Sequence, residues 1–167
     1  AEFSSLIERA TATVPGLGFG TDLMVGFPGE SEAAFTLTVE RAQQLPFSYF
    51  HVFTFSNRPG TAAAKLSGEV PVHVARRRAK ILADLSRQKR LAFAEQAIGT
   101  TVPVLFESGE TEGLTLGTTP HFLKVAVASE VDLTNQIRQV RITGASDRWA
   151  VGQLQASDEL ERRTPIL

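Results

Sequence analysis

The residues of this 167-residue chain best placed to do chemistry fall in two short blocks, each built on an apolar run. The first is Thr21-Asp22-Leu23-Met24-Val25-Gly26-Phe27-Pro28-Gly29-Glu30. Glycines at 26 and 29 let a ligand approach the backbone, and Asp22 and Glu30 can each serve as a polar ligand. Neither carboxylate has a visible His or Lys partner for acid–base work. The second block ends in Ser56-Asn57-Arg58-Pro59-Gly60-Thr61, where Arg58 can clamp a carboxylate or phosphate. Each block also has a plainer reading: a strand-to-helix turn that needs Gly and Pro for its shape, and an Arg on a solvated loop. Cysteine is absent, so this chain offers no disulfide, thiolate zinc site, iron–sulfur ligand or cysteine nucleophile. His51, His73 and His121 are scattered without metal-ligand spacing.

Charge forms the third candidate. The net charge of −1 predicts no polyanionic partner by itself. Its distribution is uneven, because residues 71–99 carry seven Lys/Arg against two Asp/Glu. Arg76, Arg77, Arg87, Lys89 and Arg90 in that segment, with Lys124, Arg138 and Arg141 further on, are the candidate contacts to RNA. A charge-rich helix is more often a solvated face. Residues 100–154 hold four cations against six acidic residues, few for a phosphate-binding surface. Phe122 and Trp149 can stack on bases, but core packing is the expected role of both.

The elements that must position these residues follow from periodicity. Phe3, Leu6, Ile7 and Ala10 recur at helical spacing, and Pro15-Gly16 ends that helix. Residues 20–26 and 49–55 read as apolar strands, the first buried on both faces as in parallel sheets. Between them lies a helix with Ser31 as its cap and Phe35, Val39 and Ala42 on its core side. Strand, helix, strand is one right-handed βαβ unit, and ligands bind at the carboxyl ends of such strands. Two parallel strands do not make a stable sheet alone, so this part reads as incomplete. Pro71 opens a long basic helix that runs to about Ile98 and stops at Gly99. Val102–Phe106, Gly113–Leu116, Phe122–Val127, Ile137–Ile142 and Trp149–Leu154 then read as five short strands of a small barrel.

The two blocks also carry a resemblance. Thr21–Glu30 resembles the fifth strand and following turn of the radical S-adenosylmethionine methylthiotransferases, and His51–Ala63 resembles their sixth strand and loop. The stretch from Gly99-Thr100, with Gly113-Leu114-Thr115 and Val140-Arg141-Ile142-Thr143-Gly144, is similar to the RNA-binding TRAM barrel of the same enzymes. The resemblance implies a fold that is α/β plus all-β. Residues 1–68 would be the last βα units of a partial TIM-like radical barrel, 69–98 a linking helix, 99–155 a five-stranded, OB-like TRAM barrel and 156–167 a tail.

It also implies that Thr21, Asp22, Met24, Gly26, Phe27, Pro28, Gly29 and Glu30 line the S-adenosylmethionine pocket. Val52 and Phe53 would lie near the adenine, and Arg58 and Thr61 would face the substrate. The parent enzyme would use S-adenosylmethionine and two iron–sulfur clusters, whose cysteines lie upstream, so no cofactor is expected in this chain alone. The chain reads as cut from something longer and inactive by itself. Its partner would be the anticodon arm of tRNA in the cytoplasm, with no membrane. His51-Val52-Phe53 looks most like the enzymes acting on N6-threonylcarbamoyladenosine, with the isopentenyladenosine type as the alternative. A stand-alone RNA-binding module is a further reading, and the unfinished sheet is expected to self-associate. Met24 stands where the family usually has Ile, and the acidic barrel surface is a larger departure.

Overall fold

A computed structural model describes residues 2–111 and 113–155, and these divide into two compact units between Lys89 and Arg90. The first contains α1 (Glu2–Thr13), β1 (Gly20–Val25), α2 (Glu32–Gln44) and β2 (Tyr49–Thr54). β1 and β2 pair in parallel, from Gly20 opposite Tyr49 to Val25 opposite Thr54. Ser31 caps α2 as expected, its hydroxyl oxygen accepting the Ala34 N–H at 3.1 Å. The core of this unit joins Ile7, Val25, Phe35, Ala42, Phe50 and Leu82.

The apolar letters of β1 predict burial on both faces, and the structure covers only one. Leu23, Val25, Phe50 and Val52 pack into the core. Asp22, Met24, His51 and Phe53 alternate onto the opposite, open face, with Met24 55% and Phe53 50% exposed. Hydrophobicity records that a side chain is suited to burial; it does not say that the cover lies within the same stretch of chain. At the outer edge of β2, the buried Ser86 hydroxyl accepts the Phe50 N–H at 2.9 Å and donates to the Phe50 carbonyl at 2.8 Å. A helix side chain thereby takes two bonds that a third strand would otherwise make.

α3 (Val72–Gln96) is the long basic helix, slightly shorter than expected. Ala79, Leu82 and Leu85 pack into the first unit, whereas Phe93 and Ala94 join the core of the second. The second unit adds β3 (Thr101–Thr111), β4 (Leu114–Thr118), β5 (Lys124–Val127), β6 (Ile137–Ala145) and β7 (Ala150–Leu154). They close into a barrel of order β3-β4-β5-β7-β6, antiparallel except between β5 and β7. This is consistent with the expected small OB-like, TRAM-type barrel. Its interior holds Val104, Phe106, Val125, Val127, Val140 and Ile142.

Phe122 departs from expectation. The strand begins two residues later, at Lys124, and Phe122 sits in the preceding turn with φ +63°, 66% exposed. Its N–H donates to the Thr119 carbonyl, and the Leu123 N–H donates to the Thr119 hydroxyl at 3.1 Å, which fixes the turn. Trp149 also lies outside the barrel core, half-buried. Apolar character placed both inside, but local turn geometry places one outward and leaves the other at the surface. The expected tail, 156–167, lies outside the described residues.

Candidate functional site

The first block forms the turn between β1 and α2, and charge ties it down from behind. Gly26 and Gly29 take φ of +79° and +83°, a region that favours glycine. A Cβ on Gly26 would also stand 2.8 Å from the Ala75 Cβ, so helix packing demands glycine there whether or not a ligand does. The Glu30 carboxylate accepts the Gly26 N–H at 2.6 Å and an Arg78 N–H at 2.8 Å. Arg78, only 3% exposed, also donates to the Glu30 carbonyl at 3.0 Å and to the Glu32 carboxylate at 2.8 Å. Its guanidinium lies 5.2 Å from the centre of the Phe35 ring. The hydrogen bond from Arg78 holds the Glu32 carboxyl below its ordinary value, and the same bond raises the Arg78 pKa. Glu30, expected among the pocket residues, therefore anchors the turn that bears it.

An open cavity of 320 Å³ lies beyond the carboxyl ends of β1 and β2. Gly26, Pro28, Thr54, Asn57, Glu69 and Arg76 are on its wall. Sequence reasoning named Gly26, Pro28 and Arg76 but missed Glu69, which carries no motif. The following loop folds back on the turn, with the Gly29 N–H donating to the Gly68 carbonyl at 2.7 Å. Phe27 packs edge-on against Phe55 at 5.2 Å. Arg58 is exposed, and its carbonyl accepts the Thr61 hydroxyl at 2.9 Å, so these two residues share one tight turn.

The predicted pocket residues split by strand alternation. Asp22, Met24 and Phe53 share the open face, while Thr21 and Val52 lie on the helix-covered side. Register sets His51 opposite Asp22 and Phe53 opposite Met24. The 28 residues between Asp22 and His51 conceal this juxtaposition in the sequence.

Several predicted RNA contacts have protein partners. Arg77 pairs with Glu32 at 3.1 Å, and Arg87 pairs with Asp84. The Lys89 ammonium donates to the carbonyls of Gln43 and Leu45 at 3.0 and 2.8 Å, and burial lowers its pKa. In the barrel unit Lys124 pairs with Glu107, Arg138 is half-buried, and Arg90 is half-exposed. Arg76 and Arg141 are exposed. Among the described residues no group of three or more His, Cys, Asp or Glu could hold a metal ion. No helix among them is long and apolar enough to cross a membrane.

The class of architecture is a βα unit with an open site at its strand ends, followed by a basic helix and a small closed barrel. No family model matches the chain. It is homologous to bacterial tRNA methylthiotransferases. A protein of Maricaulis maris named tRNA-2-methylthio-N(6)-dimethylallyladenosine synthase is 35% identical over 157 residues, 93% of this chain and 34% of its own length. Proteins of the same name from Rickettsia canadensis and Chloroflexus aurantiacus are 31% and 34% identical, over 91% and 98% of this chain. The chain spans about a third of the length of these relatives, 34% and 36% of the latter two.

Proposed function

We propose that this chain is the C-terminal third of a tRNA methylthiotransferase that acts on N6-dimethylallyladenosine, the isopentenyladenosine type. The observation that carries the reading is the alignment of nearly the whole chain with synthases named for the 2-methylthio derivative of that nucleoside. The threonylcarbamoyladenosine type, favoured by His51-Val52-Phe53 alone, finds no such support. In this reading β1 and β2 are the last strands of a TIM-like barrel, and their open face is its interior. Met24 and Phe53 would give S-adenosylmethionine an apolar wall, and Asp22 would give it a polar partner. These exposed side chains fit such a group, whereas a chain without cysteine leaves the clusters to be held elsewhere. When bound, S-adenosylmethionine and the clusters supply the radical and the sulfur.

This chain's own residues bind and orient. The turn 26–30, fixed by Arg78, presents backbone at the strand ends, where such barrels bind ligands. Thr21 and Val52 would support the pocket wall from behind. Arg58 and Arg76, both exposed near the strand ends, would meet the substrate or the tRNA backbone. The anticodon arm would be held by the basic helix and the barrel.

The test uses the full-length parent with its clusters reconstituted. It is incubated in turn with tRNA carrying dimethylallyladenosine and tRNA carrying threonylcarbamoyladenosine, and the digested nucleosides are weighed by mass spectrometry. A methylthio product from the first alone is expected. A product from the second alone would reverse the substrate assignment, and no product from either would remove the enzyme reading.

A further inference from the structure

The cavity at the carboxyl ends of β1 and β2 has two kinds of wall. Gly26, Val72 and Arg76 belong to the turn and to α3, whereas Asn57, Leu66 and Val70 belong to the loop of residues 56–70. Arg78 and the close approach of Gly26 to Ala75 fix the first wall. The second is held differently, because none of residues 56–70 is buried. The loop is nevertheless bonded within itself. The Thr61 hydroxyl donates to the Arg58 carbonyl at 2.9 Å and accepts the Ala64 N–H at 3.2 Å. The Lys65 and Leu66 N–H groups donate to the carbonyls of Ala62 and Ala63 at 3.1 and 3.2 Å. Among the described residues, one hydrogen bond joins this loop to the rest of its unit, from the Gly29 N–H to the Gly68 carbonyl. Two backbones meet there without side chains. Gly68 has φ +86°, and a Cβ on it would stand 3.2 Å from the Gly29 nitrogen. Each wall also leaves one large aliphatic side chain in water: Leu66 on the loop is 50% exposed, and Val72 at the start of α3 is 65% exposed.

We propose that residues 56–70 are a hinged strap, held off the cavity by the Gly29–Gly68 latch and poised to close over it. A segment bonded internally and tied once to its surroundings moves as a body before it unravels. Closure gives up the latch bond and takes Leu66 and Val72 out of water. One net hydrogen bond and the partial burial of two aliphatic side chains are effects of similar, small size, so both positions are populated. Motions of this kind run on microsecond-to-millisecond times. The strap is a property of this chain itself, and it holds whether or not the parent is a methylthiotransferase.

The 167-residue protein is followed first by amide relaxation dispersion. Residues 57–69 and Gly29 are expected to share one exchange rate. Flat profiles, or rates that differ along the loop, would overturn the inference, and this measurement needs no variant. The chain has no cysteine, so Val72→Cys, a change of little volume at an exposed position, gives a single thiol beside the cavity. Its rate of labelling by a maleimide reads closure. Gly68→Ala breaks the latch and should slow that labelling about threefold. Gly60→Ala imposes the same left-handed strain, at φ +85°, where an added Cβ meets nothing within 4 Å, and should leave the rate unchanged. Leu66→Ser in the Gly68→Ala background removes the apolar drive and should restore the rate. Unchanged or faster labelling in Gly68→Ala would mean a static or an unravelling loop, and an equal effect of Gly60→Ala would mean strain without a latch. Either result would overturn the inference, as would failure of Leu66→Ser to restore the rate.

Discussion

Arg78 is the last of three consecutive arginines, and its neighbours Arg76 and Arg77 are exposed while it is buried against two carboxylates. Removing it would strand the Glu30 carboxylate, 12% exposed, without its cation. Arg78→Met should therefore cost about 3 kcal/mol in denaturant unfolding. Arg76→Met on the exposed side should change stability by no more than about 0.5 kcal/mol. The sequence did hold a signal for the difference. Ala75, Arg78, Leu82 and Ser86 fall on one helical stripe, and all four are buried. A run of like charges drew attention to composition instead of phase. The same tie has a pH dependence. The Glu32 carboxyl is lowered from 4.5 by Arg78, so the unfolded chain takes up the proton first as pH falls. The pair's stabilisation is complete above the ordinary carboxylate value and is lost as pH drops through the lower folded value. Glu32→Gln should shrink the acid-side fall of stability followed by circular dichroism, and an unaltered acid limb would count against this account.

Among the elements, the turn between β1 and α2 shows how one glycine answers two demands. Gly26 needs positive φ, and it also needs room beside Ala75. Gly26→Ala should cost about 2 kcal/mol. Adding Ala75→Gly should recover the steric part and leave the backbone part, which a double-mutant cycle measures. Strand and helix positions were largely legible, because apolar periodicity and the Ser31 cap are local signals. What the open face of β1 and β2 does was not legible. Leu23 and Met24 are similar letters, yet the first packs into the core and the second is 55% exposed, and only the helices' placement separates them. Likewise Lys89 looked available to RNA until α2 ended beside it and offered two carbonyls.

At the scale of the whole molecule, the open face has a consequence in solution. Met24 and Phe53 are exposed together, and two strands leave their sheet unfinished. The 167-residue chain should associate as its concentration rises, as read by sedimentation velocity, and Met24→Lys with Phe53→Lys should reduce that association. A strictly monomeric wild-type chain at high concentration would contradict this. The barrel has a different kind of incompleteness, one of time. β7 pairs with β5 on one side and β6 on the other, so the last described strand is the one that closes the ring. A nascent chain that has not yet cleared Leu154 from the ribosome exposes two bare strand edges, however well its first four strands have formed. Closure of this unit thus waits until β7 has emerged, and the rate at which β7 is captured, not the rate at which hairpins form, should set how long those edges stay open to other chains.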